Sequence, residues 1–450
     1  MDVTAKIAQF VADANYEKLP PAAIATAKLA VRDCLGVALA GSKEEDAKLC
    51  AGFVRQEEAK EESSVIGQGF KTSALNGALA NGTAAHAMDF DHSFTLMGQP
   101  TAPIIPATFA LGEALGASGR RIIEAYAVGY EVTAKLVHSL RDSEHDGWHA
   151  PGALGSFGAT TACAKLLGLN PSQVEMALGM TTSMAGGVVA NFGTMTKPLH
   201  VGLAARNGVL AAKLAAGGFT ANGKAIESAF GFYQVFHSGA PIDDKPIREL
   251  GQSHALLSDG IRIKPYPCGG LTHQAIDSML EFRSQHGLTP DMIDGIDVDV
   301  VKHTFDRIVF KVPQTGIQGK FCMPYLMARA LIDGKVSLHA FTDAAVRDPN
   351  VLRLAERVHM NLGNDLKKTE PGGRPCRVTV RLKNGQVLSR DAQHAKGSPE
   401  NPMTEEELKD KFAECAREAL SVEAAHRALA LIEALEKVDD VRSLTDILRG

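Results

Sequence analysis

Three basic side chains, Lys197, His200 and Arg206, stand close together in the stretch Thr194–Arg206 among small and apolar neighbours. A lysine in such a place can be partly desolvated. It then acts as a base, or stays charged and holds an anion. A second concentration is His86-Ala87-Met88-Asp89-Phe90-Asp91-His92-Ser93, followed by Gln99 before Pro100. Histidine and aspartate also bind metals, but this spacing matches no familiar metal signature, and no metal is expected. His149 follows the single tryptophan, Trp148, where an imidazole can face a cavity and share a hydrogen bond with an anion. Asp89, Asp91, Ser93, His149, Lys197, His200, Arg206, His273 and Tyr325 together offer cations and donors for carboxylates, plus acids and bases. Such a set suits removal of a proton beside a carboxylate, then loss of a group or reprotonation.

These residues need elements to hold them. Pro198 suits the first turn of a helix that Thr196 could cap, which would put Lys197 at the helix mouth. On that helix His200 and Ala204 share a face and Arg206 lies on another. Helical spacing is expected over 22–40, 44–55, 73–87, 103–115, 121–140, 155–167, from Pro171 on, and over 202–216 and 223–230. Phe94–Pro100 reads as a loop and Arg141–Gly147 as a charged turn. Beyond about Leu256 the texture changes. Gly260–Lys264 reads as a short strand, and Pro265-Tyr266-Pro267-Cys268 as a stiff link into a helix over 274–286. Ile296–Val301 reads as a strand, and the runs flanking Asn384-Gly385 as a hairpin. The chain ends in helix.

The predicted fold is mainly α: a large all-helical bundle domain (1–259 and 396–450) with a smaller α+β lid domain (260–395) inserted before the C-terminal helices. At 450 residues and a net charge of −5, the chain offers no basic field for nucleic acid. No apolar run reaches membrane-spanning length, and the first residues lack a secretory pattern, so a cytoplasmic location is expected. Seven scattered cysteines, never in a C-x-x-C pair, fit reduced thiols. No G-x-S-x-G, Walker loop or dinucleotide fingerprint stands in the right context.

Five segments, in order, resemble the MmgE/PrpD family: His86–Asp91; Trp148–Pro151; Thr196–Gly202; Pro265–Cys268 with Thr272-His273; and Lys320–Tyr325. The family includes 2-methylcitrate dehydratase, cis-aconitate decarboxylase and iminodisuccinate epimerase. The resemblance implies a helical domain with an α+β lid, a site between them, a homodimer, and neither metal nor organic cofactor. It assigns catalytic roles to Asp89, His149, Lys197, Tyr325 and, as the best match in the lid, His273. Ser93, Gln99, His200, Arg206 and Cys268 are expected to bind substrate. Two departures matter. Ser93 stands where a threonine is common, and Gln99 stands where many relatives carry a histidine. Glutamine can hydrogen-bond a carboxylate but cannot titrate. The leading expectation is a hydro-lyase acting on a small di- or tricarboxylate. An epimerase of an imino- or amino-dicarboxylate comes second, a decarboxylase third, and a non-catalytic carboxylate-binding scaffold last.

Overall fold

The computed structural model describes residues 2–94, 97–140, 147–237, 242–367 and 373–450. Most of the expected charged turn (141–146) and two residues of the expected 94–100 loop (95–96) lie outside them. The chain forms two compact units, residues 1–262 with 405–450, and residues 263–404. The fold is mainly α, a helical bundle plus a small sheet domain. Among the described residues no helix is long and apolar enough to cross a membrane.

The first unit contains α1 (Val3–Asp13), α2 (Pro21–Gly41), α3 (Glu45–Gln56), a small hairpin of β1 (Ser63–Val65) and β2 (Phe70–Thr72), then α4 (Ala74–Ala87), α5 (Thr101–Leu115) and α6 (Gly119–Ser139). After them come the short α7 (Ala150–Ala153), α8 (Gly155–Leu167), α9 (Pro171–Met184) and α10 (Thr196–Ala216). Local chemistry sets several ends. Ser73 caps α4 through its hydroxyl, and Asn170 with Gln173 makes a capping box on α9. The small residues of α4, α8 and α10 let backbones close in. A Cβ on Gly82 would stand 2.9 Å from Gly202 Cα, and one on Gly202 would stand 2.4 Å from Leu79 O. Only hydrogen fits at that crossing, so it fixes α4 against α10.

Three expectations need correction here. Residues 223–230 form turns rather than helix, and the next helical piece is Phe232–Phe236. Asn222-Gly223 opens the segment and Gly231 follows it, and Gly231 N–H closes a turn on Ser228 O at 2.8 Å. Gly260–Lys264 is no strand. It makes one isolated antiparallel bridge, Arg262 to Ser93. Thr196 is the first residue of α10 rather than its cap. Thr194 Oγ1, from outside the helix, accepts from Thr196 N at 3.2 Å.

The second unit is built on a sheet of order β4-β3-β5-β6: β3 (Ile293–Val300), β4 (Val358–Leu362), β5 (Cys376–Leu382) and β6 (Val387–Ala392). β3 and β4 run parallel, and the other pairs are antiparallel. β5 alternates inward Cys376, Val378, Val380 and Leu382 with outward polar residues, the period-2 pattern of a sheet covered on one face. Helices His273–His286 and Met323–Asp333 supply the cover, with Ile276, Met279, Leu326 and Ala330 in the shared core. Gly385, at φ +88°, makes the β5–β6 turn.

Candidate active site

The α4–α10 crossing brings the C-terminal end of α4 to the N-terminal end of α10. Past α4 the chain turns at Asp89, which takes the left-handed conformation, φ +52°. Aspartate tolerates that region better than most residues, and such outliers cluster at functional sites. Asp89 is buried, and its Oδ1 lies 3.2 Å from Lys197 Nζ, 108 residues along the chain. Gln99 Nε2 donates to the same oxygen at 3.4 Å. Lys197 Nζ also sits 5.4 Å from the centre of the Phe192 ring, a cation–π distance. The first backbone N–H groups of α10 add positive character beside Lys197, a setting suited to anions.

Three imidazoles stand next to this pair. His149 Nδ1 and His200 Nδ1 share a hydrogen bond of 3.2 Å, so one ring donates and the other accepts. The His149 backbone is pinned by its N–H to Gly187 O (2.8 Å) and by the Trp148–Val188 bridge. Gly187 has φ +111°, and a Cβ there would lie 3.0 Å from the His200 ring. Burial, followed by the charges of His86, Lys197 and His200, keeps the His149 imidazole neutral well below the usual histidine range. Burial first, then His86 and Lys197, lowers His200 as well. The third ring, His86, lies 5.4 Å from His149 between centroids. Its Nδ1 contacts both oxygens of Asp91, at 3.1 and 3.0 Å. Its Nε2 is buried and has no hydrogen-bond partner among the described residues.

Ligand atoms of His86, Asp89 and Asp91 lie within 4.8 Å of one another, close enough to surround a cation. Two of these groups already have partners of their own, Asp89 with Lys197 and Asp91 with the His86 Nδ1. His92, in the same stretch, turns the other way. Its N–H and Nδ1 contact Asp33 Oδ2 at 2.9 and 3.2 Å, and its Nε2 lies 2.7 Å from Thr101 Oγ1, which lies 2.7 Å from the Tyr126 hydroxyl. Lys411 donates to Asp33 Oδ1 and to Phe90 O. Burial alone would raise the Asp33 carboxyl, but Lys411 and His92 bring it down to about 2.

Ser93 meets Arg262 through backbone hydrogen bonds in both directions, 2.9 Å each. Arg206 is partly buried and lies nine residues, about two and a half turns, beyond Lys197 on the opposite side of α10, with no hydrogen bond or ion pair to the cluster among the described residues. Three others belong to the second unit. Tyr325 is fully buried in that unit's core, its hydroxyl donating to Ala340 O and accepting from Arg329 Nε at 2.9 Å. Burial raises its pKa. His273 opens its helix, with Nε2 3.3 Å from Cys268 O and its ring edge-on to Tyr266. Cys268 is buried, its Sγ 3.5 Å from Thr272 Oγ1. Sequence reasoning missed His86 and Phe192 as neighbours of the cluster. An aspartate five residues after His86, on the far side of a helix end, was the available signal for the first.

Two family models match the chain, the MmgE/PrpD N-terminal domain over residues 5–245 and the MmgE/PrpD C-terminal domain over residues 266–437. Cis-aconitate decarboxylase of Mus musculus is 28% identical over 476 positions, covering all of this chain and 93% of that protein. The Homo sapiens enzyme is 27% identical, covering 95% of this chain and 90% of its own length. A cis-aconitate decarboxylase of Aspergillus terreus is 25% identical, with 99% and 96% covered.

Proposed function

The chain belongs to the MmgE/PrpD family, and on that footing we propose that it is a lyase that removes a proton next to a carboxylate of a small di- or tricarboxylic acid and expels water. The observation that carries this reading is the buried Lys197–Asp89 pair beside a neutral His149. A substrate carboxylate takes its place at the Lys197 ammonium and the α10 N-terminus. His149 is the proton acceptor. A neutral imidazole can take a proton, and a bound polyanion raises its affinity for one. As the C–H bond breaks, its electron pair becomes the new C=C bond and the C–O bond to the departing hydroxyl breaks. The hydroxyl takes up a proton, which the His149 imidazolium returns, and leaves as water. Lys197 stabilises the carboxylate-conjugated charge as it grows, which is where binding lowers a barrier.

A second reading is favoured by the relatives, which are named cis-aconitate decarboxylases. Here Lys197 and His149 keep their places, carbon dioxide leaves, and the carbanion is reprotonated. Gln99 bears on the choice. It lies against Asp89 where many relatives have a titratable histidine, so the proton must come from another group.

The test is a panel of citrate-like and aspartate-like acids in heavy water, followed by NMR and ultraviolet absorbance. Dehydration gives a new conjugated double bond, decarboxylation releases carbon dioxide, and deuterium exchange without net change marks an epimerase. No response from any acid at high enzyme concentration overturns a catalytic reading.

A further inference from the structure

We infer that a pocket walled by α1, α6 and residues 247–254 is a second binding site, for a small zwitterion that carries an ammonium and a carboxylate on an apolar body. The pocket lies wholly within the first unit, and no residue of the Asp89–Lys197 cluster lines it, so the inference does not depend on the reaction proposed above. Its volume is about 410 Å³, within the usual range for small-molecule sites. Phe10 from α1, Val128 from α6, and Ile247 and Leu250 give it an apolar lining. Gly251, at φ +75°, carries the third wall past α1, where a Cβ would stand 3.3 Å from the Phe10 ring.

Charge is placed at two depths. The Glu131 side chain, among the lining residues, is only 5% exposed. Its Oε2 accepts from Ala255 N–H at 2.6 Å, and its Oε1 has no hydrogen-bond partner among the described residues. Lys135 does not supply one. Its Nζ stands 3.7 Å from Oε1 and donates instead to Ser253 Oγ at 3.0 Å. A buried acceptor without a donor is costly, and a ligand N–H that reaches it removes that cost. Burial raises the Glu131 carboxyl to about 7, against the pull of Ala255 N–H and Lys135, and an arriving ammonium favours its charged form. The exposed part of the lining has the other sign, with Lys6, Lys18 and Arg248 against Asp13. Arg248 is paired with Asp244, and Lys18 donates to a neutral carbonyl, Asp13 O, at 3.3 Å. Lys6 and Lys18 are thus the cations that a ligand carboxylate meets. An amine alone would face these cations at the surface, and an acid alone would leave Glu131 unanswered. A ligand with both charges and an apolar body satisfies every part of the lining.

The experiment uses three probes on the full chain: phenylalanine, phenethylamine, which lacks the carboxylate, and 3-phenylpropanoate, which lacks the amine. Calorimetry slightly above neutral pH reads affinity, and the methyl NMR signals of Val128, Ile247 and Leu250 read place. The result expected is that phenylalanine binds tightest and shifts those methyls. Glu131→Gln keeps an acceptor for Ala255 N–H. It should weaken phenylalanine and phenethylamine about tenfold, the scale of one charged hydrogen bond, and leave 3-phenylpropanoate unchanged. Lys18→Ala, at an exposed position, should weaken phenylalanine and 3-phenylpropanoate about twofold and spare phenethylamine. It carries the test if the glutamine variant does not fold. No binding of phenylalanine, binding that leaves the three methyls unmoved, or equal affinity for all three probes overturns the proposal. So does a folded Glu131→Gln with wild-type affinity for phenylalanine. Neither arm needs turnover, so failure of the proposed reaction leaves this test intact.

Discussion

Two buried histidines of one short stretch, His86 and His92, each face an aspartate, and the rest of each ring tells them apart. His92 is saturated. Asp33 takes its Nδ1 side, Thr101 its Nε2 side, and Tyr126 and Lys411 close the network behind them. His86 is held on one side by Asp91 and has no hydrogen-bond partner on the other among the described residues, with His149, His200, Lys197 and a left-handed Asp89 close by. A completed buried network specifies structure, whereas one with an open valence has something left to do. In the second unit, the Tyr325 hydroxyl likewise both donates, to Ala340 O, and accepts, from Arg329.

Substitutions in the two networks should therefore separate activity from stability. The largest effect is expected for Lys197→Ala. Turnover of the panel's best acid should fall about 10³-fold, the scale of losing one charge-stabilising donor, with helix content unchanged and a smaller loss of melting temperature than Lys411→Met gives, because the Lys197–Asp89 pair is less deeply buried. Activity within tenfold of wild type would remove Lys197 from the chemistry. Lys411→Met should do the reverse. It leaves Asp33 buried without its cation, which costs about 3–5 kcal/mol in urea unfolding, while turnover per folded molecule stays near wild type. The pH dependence sharpens the contrast. Asp33 is held at about 2, below its unfolded value near 3.8, so its contribution to stability is present above that value and fades as pH falls toward 2. Without Lys411 burial draws the folded-state value up toward or past the unfolded one, so this acid-side loss of stability should shrink or reverse. A variant as stable as wild type at every pH would show that the saturated network is dispensable.

The smallest change in stability is expected for Asp89→Gly. Glycine meets no Cβ penalty at φ +52°, so unfolding should cost about 1 kcal/mol more than in the wild type, while turnover is lost with the carboxylate. Gain of stability with loss of activity would mark Asp89 as strain kept for function. Loss of both would mean that its contacts with Lys197 and Gln99 outweigh the strain.

Much of the fold was readable because long helices leave clear periodicity. The runs 22–40, 73–87 and 155–167 became α2, α4 and α8 with ends shifted by a residue or so, and Asn384-Gly385 stands between β5 and β6. The short hairpin β1–β2 was missed because three-residue strands carry almost no pattern, and β4 because Val358–Leu362 is mostly exposed beyond its first residue. Residue types announced the candidate site through Asp89, His149 and Lys197, but not the pairing of the first with the third across 108 residues. Neither could spacing tell His86 from His92, since what separates them is Asp33 and Lys411, which are 378 residues apart. Arg206 shared a sequence neighbourhood with Lys197 and ended on the opposite side of α10, about two and a half turns on.

The contact between Gly82 and Gly202 limits how this enzyme could be remodelled. Because the two helices already meet with only hydrogen between them, any side chain added at either position wedges the backbones apart and displaces Asp89 and Lys197 together. Acceptance of a bulkier acid is therefore closed off along the helices and open along the loops, at Gln99 and Phe192, whose side chains border the pair without supporting its backbone.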